Sequence, residues 1–234
     1  MSNLLYLVRH GENVANLTKE FSYKKVDYSL TARGRLQARQ TADLFAGKKV
    51  DAIYSSPLKR AIETAEIISR KVGIPLNVVE AFREINIGSL EDSPPSAESW
   101  GHHNRIVSQW IAGNKKNRFP EGEDYHSLWR RFQTGLRQAL EDRAEQSVII
   151  VGHGGMFSFT MLDFCPQTPP AVLYSVEMHN CAVSTIQARQ TNCGYRGRLL
   201  KWADTGHLSG EAARLVSSLP EGGISALISA EPDG

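Results

Sequence analysis

Long apolar runs, paired cysteines and a dominant charge are all missing from this chain of 234 residues. No stretch approaches the roughly 20 apolar residues of a membrane-spanning helix, so no membrane partner is expected. There are 3 cysteines, Cys165, Cys181 and Cys193, and no C-x-x-C pair. An odd number without paired spacing argues against a disulfide scaffold and for a reducing compartment. No histidine stands near a cysteine pair, so zinc-ligand spacing is absent, and no metal or other cofactor is expected. The formal net charge is +2, too small for a field that would gather nucleic acid. The chain opens directly on a strand pattern, without a basic region, an apolar stretch or a cleavage site, and a cytoplasmic location is expected.

What is present is ordinary for a globular domain. Apolar residues make up 41% and charged residues 22%. The length suits one large domain that can bury a core without disulfides or metals. A first strand is expected from about Leu4 to Arg9, followed by a polar loop to Ser29. Thr31 reads as the N-cap of a helix ending near Ala46, with Ala38, Ala42 and Phe45 on one face. A second buried strand covers Val50 to Tyr54. In "SSPLKRAIETAEIISRKVG", Ser56 reads as an N-cap and Pro57 as the first helical residue. A third strand is expected at Leu76 to Glu80. The stretch from Phe82 to Glu123 reads as irregular, rich in Gly, Pro, Ser, His and Asn, and too long for a plain connection, therefore functional or a small subdomain. A helix follows over about Asp124 to Ala144. "SVIIVGHGG" is a fourth strand, then a helix covers Met156 to Phe164, and strands at Ala182 to Ala188 and Gly197 to Trp202 close the fold. From Ser209 to Gly234 a mobile tail is expected, with one short helix near Glu211 to Ser217.

Strands alternating with helices imply an α/β fold with a largely parallel sheet covered on both faces. Ligands bind beyond the carboxyl ends of such strands. Arg9, His10 and His153 all stand at such ends, and Arg60 falls in the first turn of a helix that starts there. Two arginines offer forked donors that match phosphate oxygens. A helix N-terminus at Ser56 and Pro57 would add free N–H groups. A neutral imidazole is a competent nucleophile toward phosphorus. A backbone carbonyl accepting from one ring nitrogen would aim the other at the substrate. The leaving alkoxide needs a general acid, and Glu84 in "FREINIG" is placed past the same sheet edge. Beside a phosphate dianion, like-charge repulsion favours a proton on that carboxyl.

The segments "LVRHGEN" with Asn16, "LTARGRLQA", "YSSPLKRAIETA", "FREINIG", "GHGG", "NCAVS" and "WADTGHL" together resemble the histidine phosphatase superfamily, in its phosphoglycerate mutase-like branch. The resemblance spans roughly Leu4 to Leu208. It implies a three-layer α/β/α sandwich over residues 1–208, with a capping insertion at about 86–122. It implies that His10 becomes the phosphohistidine, that Arg9, Arg60 and His153 hold the phosphoryl oxygens, and that Glu84 donates the proton and later helps activate water. Asn16, Gly11 and Gly154 would line the substrate pocket, and the family needs no metal. Two departures stand out. "GSLED" puts Leu90 and Asp92 where the family often has Trp and a second Gly, and "PEGED" puts Asp124 where it has Ser. Both lie in the segment that caps the pocket.

Other residues carry plainer readings. His102, His103, Lys115, Lys116 and Arg118 read as a solvated loop, with selection of an acidic substrate as the alternative. Arg130, Arg131 and Arg137 read as the solvated face of a helix. The cysteines read as small buried hydrophobes, and Trp202 and His207 as packing residues. Three functions follow. The first is a phosphomonoester hydrolase acting on a small phosphate ester through a phosphohistidine. The second is a phosphoglycerate mutase-type transferase. The family's glycolytic mutases carry a longer insertion between acid and second histidine, and here Glu84 to His153 is short. The third is a phospho-ligand or protein-binding module without catalysis, whose mark would be the loss of one of the five groups. None is lost. A homodimer is compatible with the sequence and not required by it.

Overall fold

The computed structural model describes residues 1–220 of the chain, and Glu221 to Gly234 of the expected tail lie outside the described residues. In chain order the elements are β1 (Asn3–Arg9), α1 (Val14–Thr18), α2 (Ala32–Phe45), β2 (Ala52–Ser55), α3 (Lys59–Val72), β3 (Leu76–Val78), α4 (Ala97–Ile111), α5 (Tyr125–Leu140), β4 (Ser147–Gly152), α6 (Gly154–Phe164), α7 (Pro170–Leu173), β5 (Val183–Thr191) and β6 (Gly194–Asp204). Short 3-10 turns stand at Glu80–Phe82, Gly88–Asp92 and Gly210–Ala213.

The strands form one six-stranded sheet in the order β3-β2-β4-β1-β5-β6. The first four run parallel, and β5 and β6 are antiparallel to their neighbours. The sheet is therefore mixed, with the parallel part carrying the strands whose ends matter.

Alternation along the strands builds a core on each face. Leu5, Leu7, Tyr54, Val148 and Ile150 pack with Phe132 and Leu136 of α5 and Phe157 of α6. Val8, Ile53, Ile149 and Val151 pack on the other face with Ala42 and Phe45 of α2 and Ala61, Ala65 and Ile68 of α3. Apolar side chains buried on both faces explain why β1 and β4 read as unbroken apolar runs. The arrangement is the expected three-layer α/β/α sandwich.

The parallel register brings the strand ends to one rim. Arg9 stands opposite Gly152, and Ser55 opposite Val151. Past the strands, the His10 amide donates to Gly152 O at 3.0 Å and the Ser56 amide to Val151 O at 2.9 Å.

Three local expectations are corrected. Ser56 and Pro57 do not open α3; Leu58 is its N-cap. The pairing of Ser56 with Val151 prolongs the extended chain, so a turn must intervene before the helix. The α3 end is closed by Asp27, whose Oδ1 accepts from the Lys59 amide at 2.9 Å. The stretch from Phe82 to Glu123 holds a fifteen-residue helix, α4, held at its start by a reciprocal Ser96–Ser99 capping box. Finally, the chain from Ser209 through Pro220 packs on the domain. Ala212 is fully buried, and its carbonyl accepts from Gln37 Nε2 at 3.2 Å.

Candidate active site

His10 leaves β1 with its ring fixed by its own backbone neighbour. Nδ1 stands 2.8 Å from Gly11 O. A carbonyl only accepts, so Nδ1 carries the proton and Nε2 keeps its lone pair. Arg60 Nε donates to that Nε2 at 3.1 Å. The loop behind His10 is held by a close crossing. A Cβ on Gly11 would lie 2.5 Å from Gly34 O, so only glycine allows this approach at the start of α2. The Gly11 amide donates to Thr64 Oγ1 at 3.0 Å, joining the loop to α3.

Arg60 projects from the first turn of α3 between the two histidines. Its Nη2 lies 3.2 Å from His153 Nδ1, and that ring's Nε2 lies 2.7 Å from Ser56 Oγ. His153 Nδ1 accepts and Nε2–H donates, so both imidazoles are set as neutral rings. Their centroids are 5.3 Å apart. Arg60 also donates from Nη1 to Ser22 Oγ and from Nη2 to Ser22 O, both at 2.8 Å. The Ser22 loop is pinned by Glu91, whose Oε1 accepts from the amides of Tyr23 and Lys24 at 2.7 Å and of Lys25 at 3.0 Å.

Arg9 is buried beside them. It donates to Met178 O and to Ser218 Oγ, and its Nη1 is 3.9 Å from Glu177 Oε1. Among the described residues, Arg9 Nε and Asn13 Nδ2 are buried donors without a partner, and both residues line the cleft that holds His10. Buried donors left unpaired are costly, so each calls for an acceptor that a ligand can bring. Asn16 lines the same cleft. Its Oδ1 accepts from the Asn13 amide at 3.1 Å and from Asn180 Nδ2 at 2.9 Å. Gly154 leaves room for Arg9, since a Cβ there would come 3.3 Å from Arg9 Nε.

Glu84 reaches the cleft from the other side and sits on the N-terminus of α6. Its carboxylate accepts from the amides of Met156 at 2.7 Å, Ile85 at 2.9 Å and Gly155 at 3.1 Å. A helix start offers free amides and a positive dipole end to such a group. Arg131 fixes the backbone behind it. Its guanidinium donates to Ala81 O at 3.0 Å, Arg83 O at 2.6 Å and Glu84 O at 3.0 Å. It also pairs with Glu123 at 2.7 Å, and Glu123 Oε1 accepts from the Asn86 amide at 2.8 Å.

Burial and two guanidinium charges set the electrostatics. Burial first, then Arg60 and Arg9, holds His10 well below the ordinary imidazole range. Burial, then Arg60 and His10, does the same to His153. Desolvation lowers Arg60 to about 10, with Glu84 and Asp27 opposing. The rim thus holds buried positive charge beside two neutral rings, an arrangement that favours a doubly charged oxyanion.

Four of the five predicted residues, Arg9, His10, Arg60 and Glu84, line this one cleft, and His153 lies behind them against Arg60 and His10. Sequence reading missed Asn13, Ser22, Glu91, Asn180 and Ser218. It also misjudged Arg131, whose guanidinium is mostly taken up by three carbonyls and Glu123. The loop cations do not gather at the cleft. Lys115 is paired with Asp163 at 2.7 Å and Arg118 with Asp124 at 2.8 Å. Cys193 is exposed, unlike Cys165 and Cys181. The departures from the family pattern are absorbed structurally: Leu90 is buried, and Asp124 Oδ1 caps α5 by accepting from the Ser127 amide at 2.8 Å. Among the described residues, no group of three or more His, Cys, Asp or Glu could hold a metal ion. No helix among the described residues is long and apolar enough to cross a membrane.

The chain belongs to the histidine phosphatase superfamily, branch 1, whose family model matches residues 5–205. A Yersinia enterocolitica protein named "Probable phosphoglycerate mutase GpmB" is 32% identical over 213 residues, covering 87% of this chain and 94% of that one. Among solved structures, Bacillus stearothermophilus YhfR is similar at 26% identity and a TM-score of 0.72, covering 88% of this chain and all of that one. Phosphoserine phosphatase from Entamoeba histolytica, solved with 3-phosphoglyceric acid, matches at 24% identity and a TM-score of 0.70, again over 88% of this chain and all of that one. At that identity the likeness is one of fold.

Proposed function

We propose that this protein is a phosphomonoester hydrolase that works through a phosphohistidine at His10 on a small phosphorylated compound, without a metal. The observation that carries the reading is the tautomer of His10. Its Nδ1–H is taken by Gly11 O at 2.8 Å, which leaves the Nε2 lone pair on the side of Arg60 and the cleft. Arg9 and Arg60 would bind the phosphoryl oxygens, His153 would join them once its Nε2–H turns from Ser56 Oγ, and Asn13 Nδ2 and Arg9 Nε would gain the acceptor they lack among the described residues.

Nε2 of His10 attacks phosphorus in line with the ester oxygen. The P–O bond to the leaving group breaks as Glu84, which must enter the cycle as the protonated acid, gives that oxygen its proton. Water then attacks the phosphohistidine, and the Glu84 carboxylate takes a proton from it. The P–N bond breaks, phosphate leaves, and both groups return to their starting states. Charge on the equatorial oxygens is met by preorganised donors, the main source of catalysis in phosphoryl transfer. Asn16 and Gly154 line the cleft and Gly154 leaves room for Arg9, whereas Gly11, expected to line it, lies behind His10 in the crossing with α2.

The mutase reading is favoured by one finding, the name carried by the Yersinia relative. The two are separated by phosphate release from a panel of monoesters, with wild type beside His10→Ala and chelator present throughout. Release that depends on His10 and ignores chelator is expected. Interconversion of phosphoglycerates without release would favour the mutase. Binding of phospho-ligands without either reaction would favour a non-catalytic module.

A further inference from the structure

Beyond the phosphoryl subsite, the cleft is walled by Phe21, Ile85, Ile87, Trp100, His103 and Phe159. The rings form a connected surface: Phe21 and Trp100 are 4.5 Å apart between centroids, and Trp100 and His103 are 5.1 Å apart. Trp100 is fixed by its indole N–H, which donates to Lys19 O at 3.0 Å. His103 contributes an aromatic face without charge, because burial lowers it to about 4.

Charge on this wall has one sign. Among the described residues, the arginines and lysines that line the cleft are Arg9 and Arg60, both at the phosphoryl end. The carboxylates Glu20 and Glu177 line it as well. Glu177 stands nearest the phosphoryl end, 3.9 Å from Arg9 Nη1, and accepts from the Ser218 amide at 2.8 Å; Glu20 accepts from Thr18 Oγ1 at 2.9 Å and has no cation among these contacts. Lys19 is nearby, yet its ammonium is bound by the carbonyls of Asn16 and Ser217. A second acidic group on a substrate would find apolar rings and carboxylates in place of a partner, and an unpaired buried charge is strongly disfavoured.

We infer that the leaving group is an uncharged alcohol bearing an apolar ring or chain, and that monoesters carrying a carboxylate or second phosphate beside the ester are poor ligands. This rests on the phosphomonoesterase reading above and names its substrate class. It also sets this chain apart from proteins that handle phosphoglycerates.

The test is binding of two non-hydrolysable phosphonates to the full chain by calorimetry: 2-phenylethylphosphonate and 2-carboxyethylphosphonate. The first should bind about tenfold tighter or more, since one unmet charge is worth at least about that factor. Glu20→Lys should narrow the ratio by about threefold or more by offering the missing cation. Equal or reversed affinities would overturn the inference, and an unchanged ratio in Glu20→Lys would overturn its electrostatic part. Turnover is read in parallel on 2-phenylethyl phosphate and 3-phosphoglycerate, both alkyl esters. The predicted binding preference without turnover of either would count against the hydrolase reading and leave the wall's selectivity standing.

Discussion

Replacing Arg131 by methionine should damage both stability and catalysis, although Arg131 touches no part of the phosphoryl subsite. Its guanidinium serves the carbonyls of Ala81, Arg83 and Glu84 and both oxygens of Glu123. Arg131→Met leaves Glu123, whose side chain is only 9% exposed, with the Asn86 amide as its remaining partner among these contacts. Breaking a buried pair on one side costs roughly 3–5 kcal/mol. Arg131 itself is 22% exposed, so water can replace part of the loss, and about 3 kcal/mol is the expected destabilisation. The catalytic effect follows from position. Freeing the Glu84 backbone lets its carboxyl drift, and a misplacement of about 1 Å can cost about a hundredfold in rate. Loss should be large for an alkyl phosphate, whose leaving oxygen needs the proton, and small for an aryl phosphate. Urea unfolding and the alkyl-to-aryl ratio of kcat/KM measure the two effects. Arg131→Met with Glu123→Met should recover part of the stability, since no charge is then left unpaired. If Arg131→Met keeps the wild-type alkyl-to-aryl ratio, Arg131 does not position Glu84 and the reasoning fails.

Further outcomes can be checked as directly. Glu84→Gln should lose about a hundredfold or more on alkyl esters and much less on aryl esters, the size expected for a general acid; equal losses would remove Glu84 from that role. Gly11→Ala should destabilise by about 1–3 kcal/mol or more, because its Cβ would sit 2.5 Å from a backbone oxygen that cannot swing away. Wild-type stability in the urea assay would contradict the close crossing. Stability should also fall in acid. His10, His153 and His103 have folded pKa values below the ordinary 6.5. The unfolded chain therefore binds more protons than the folded one once pH drops below 6.5. Stability is full above that value and declines as pH falls, by up to roughly 1.4 kcal/mol per pH unit for each histidine. A urea midpoint that stays flat between about pH 7 and pH 5 would contradict their burial as neutral rings.

The legible parts of this protein were those whose physics is local. β1 and β4 announced themselves because strands buried on both faces need unbroken apolar runs, and each run stops abruptly at a histidine. The start of α2 was readable because Thr31 caps it through the Gly34 amide. Reading was harder where a partner is distant in sequence. Ser56 has the chemistry of an N-cap, but its hydroxyl is used by His153, 97 residues away. Arg131 sits beside the apolar stripe of α5 and looks solvent-facing until the 81–84 backbone and Glu123 are placed against it. α4 was hidden by composition, since Gly101, His102, His103 and Asn104 are weak helix formers, and its capping box uses serine where glutamate is the usual signal. The segment after Ser209 looked like a tail because small residues carry no periodicity. Its contacts are with Gln37 and Arg9, far back in the chain.

The central claim is that His10 carries the phosphoryl group. Rapid quenching of wild type during turnover of an aryl phosphate, followed by peptide mapping under alkaline conditions, tests it most directly. One acid-labile phosphoryl group on His10, absent in His10→Ala and accumulating where water attack is slowed, is the predicted result. Full phosphate release by His10→Ala, or a phosphoryl group mapped to another residue, would contradict the account.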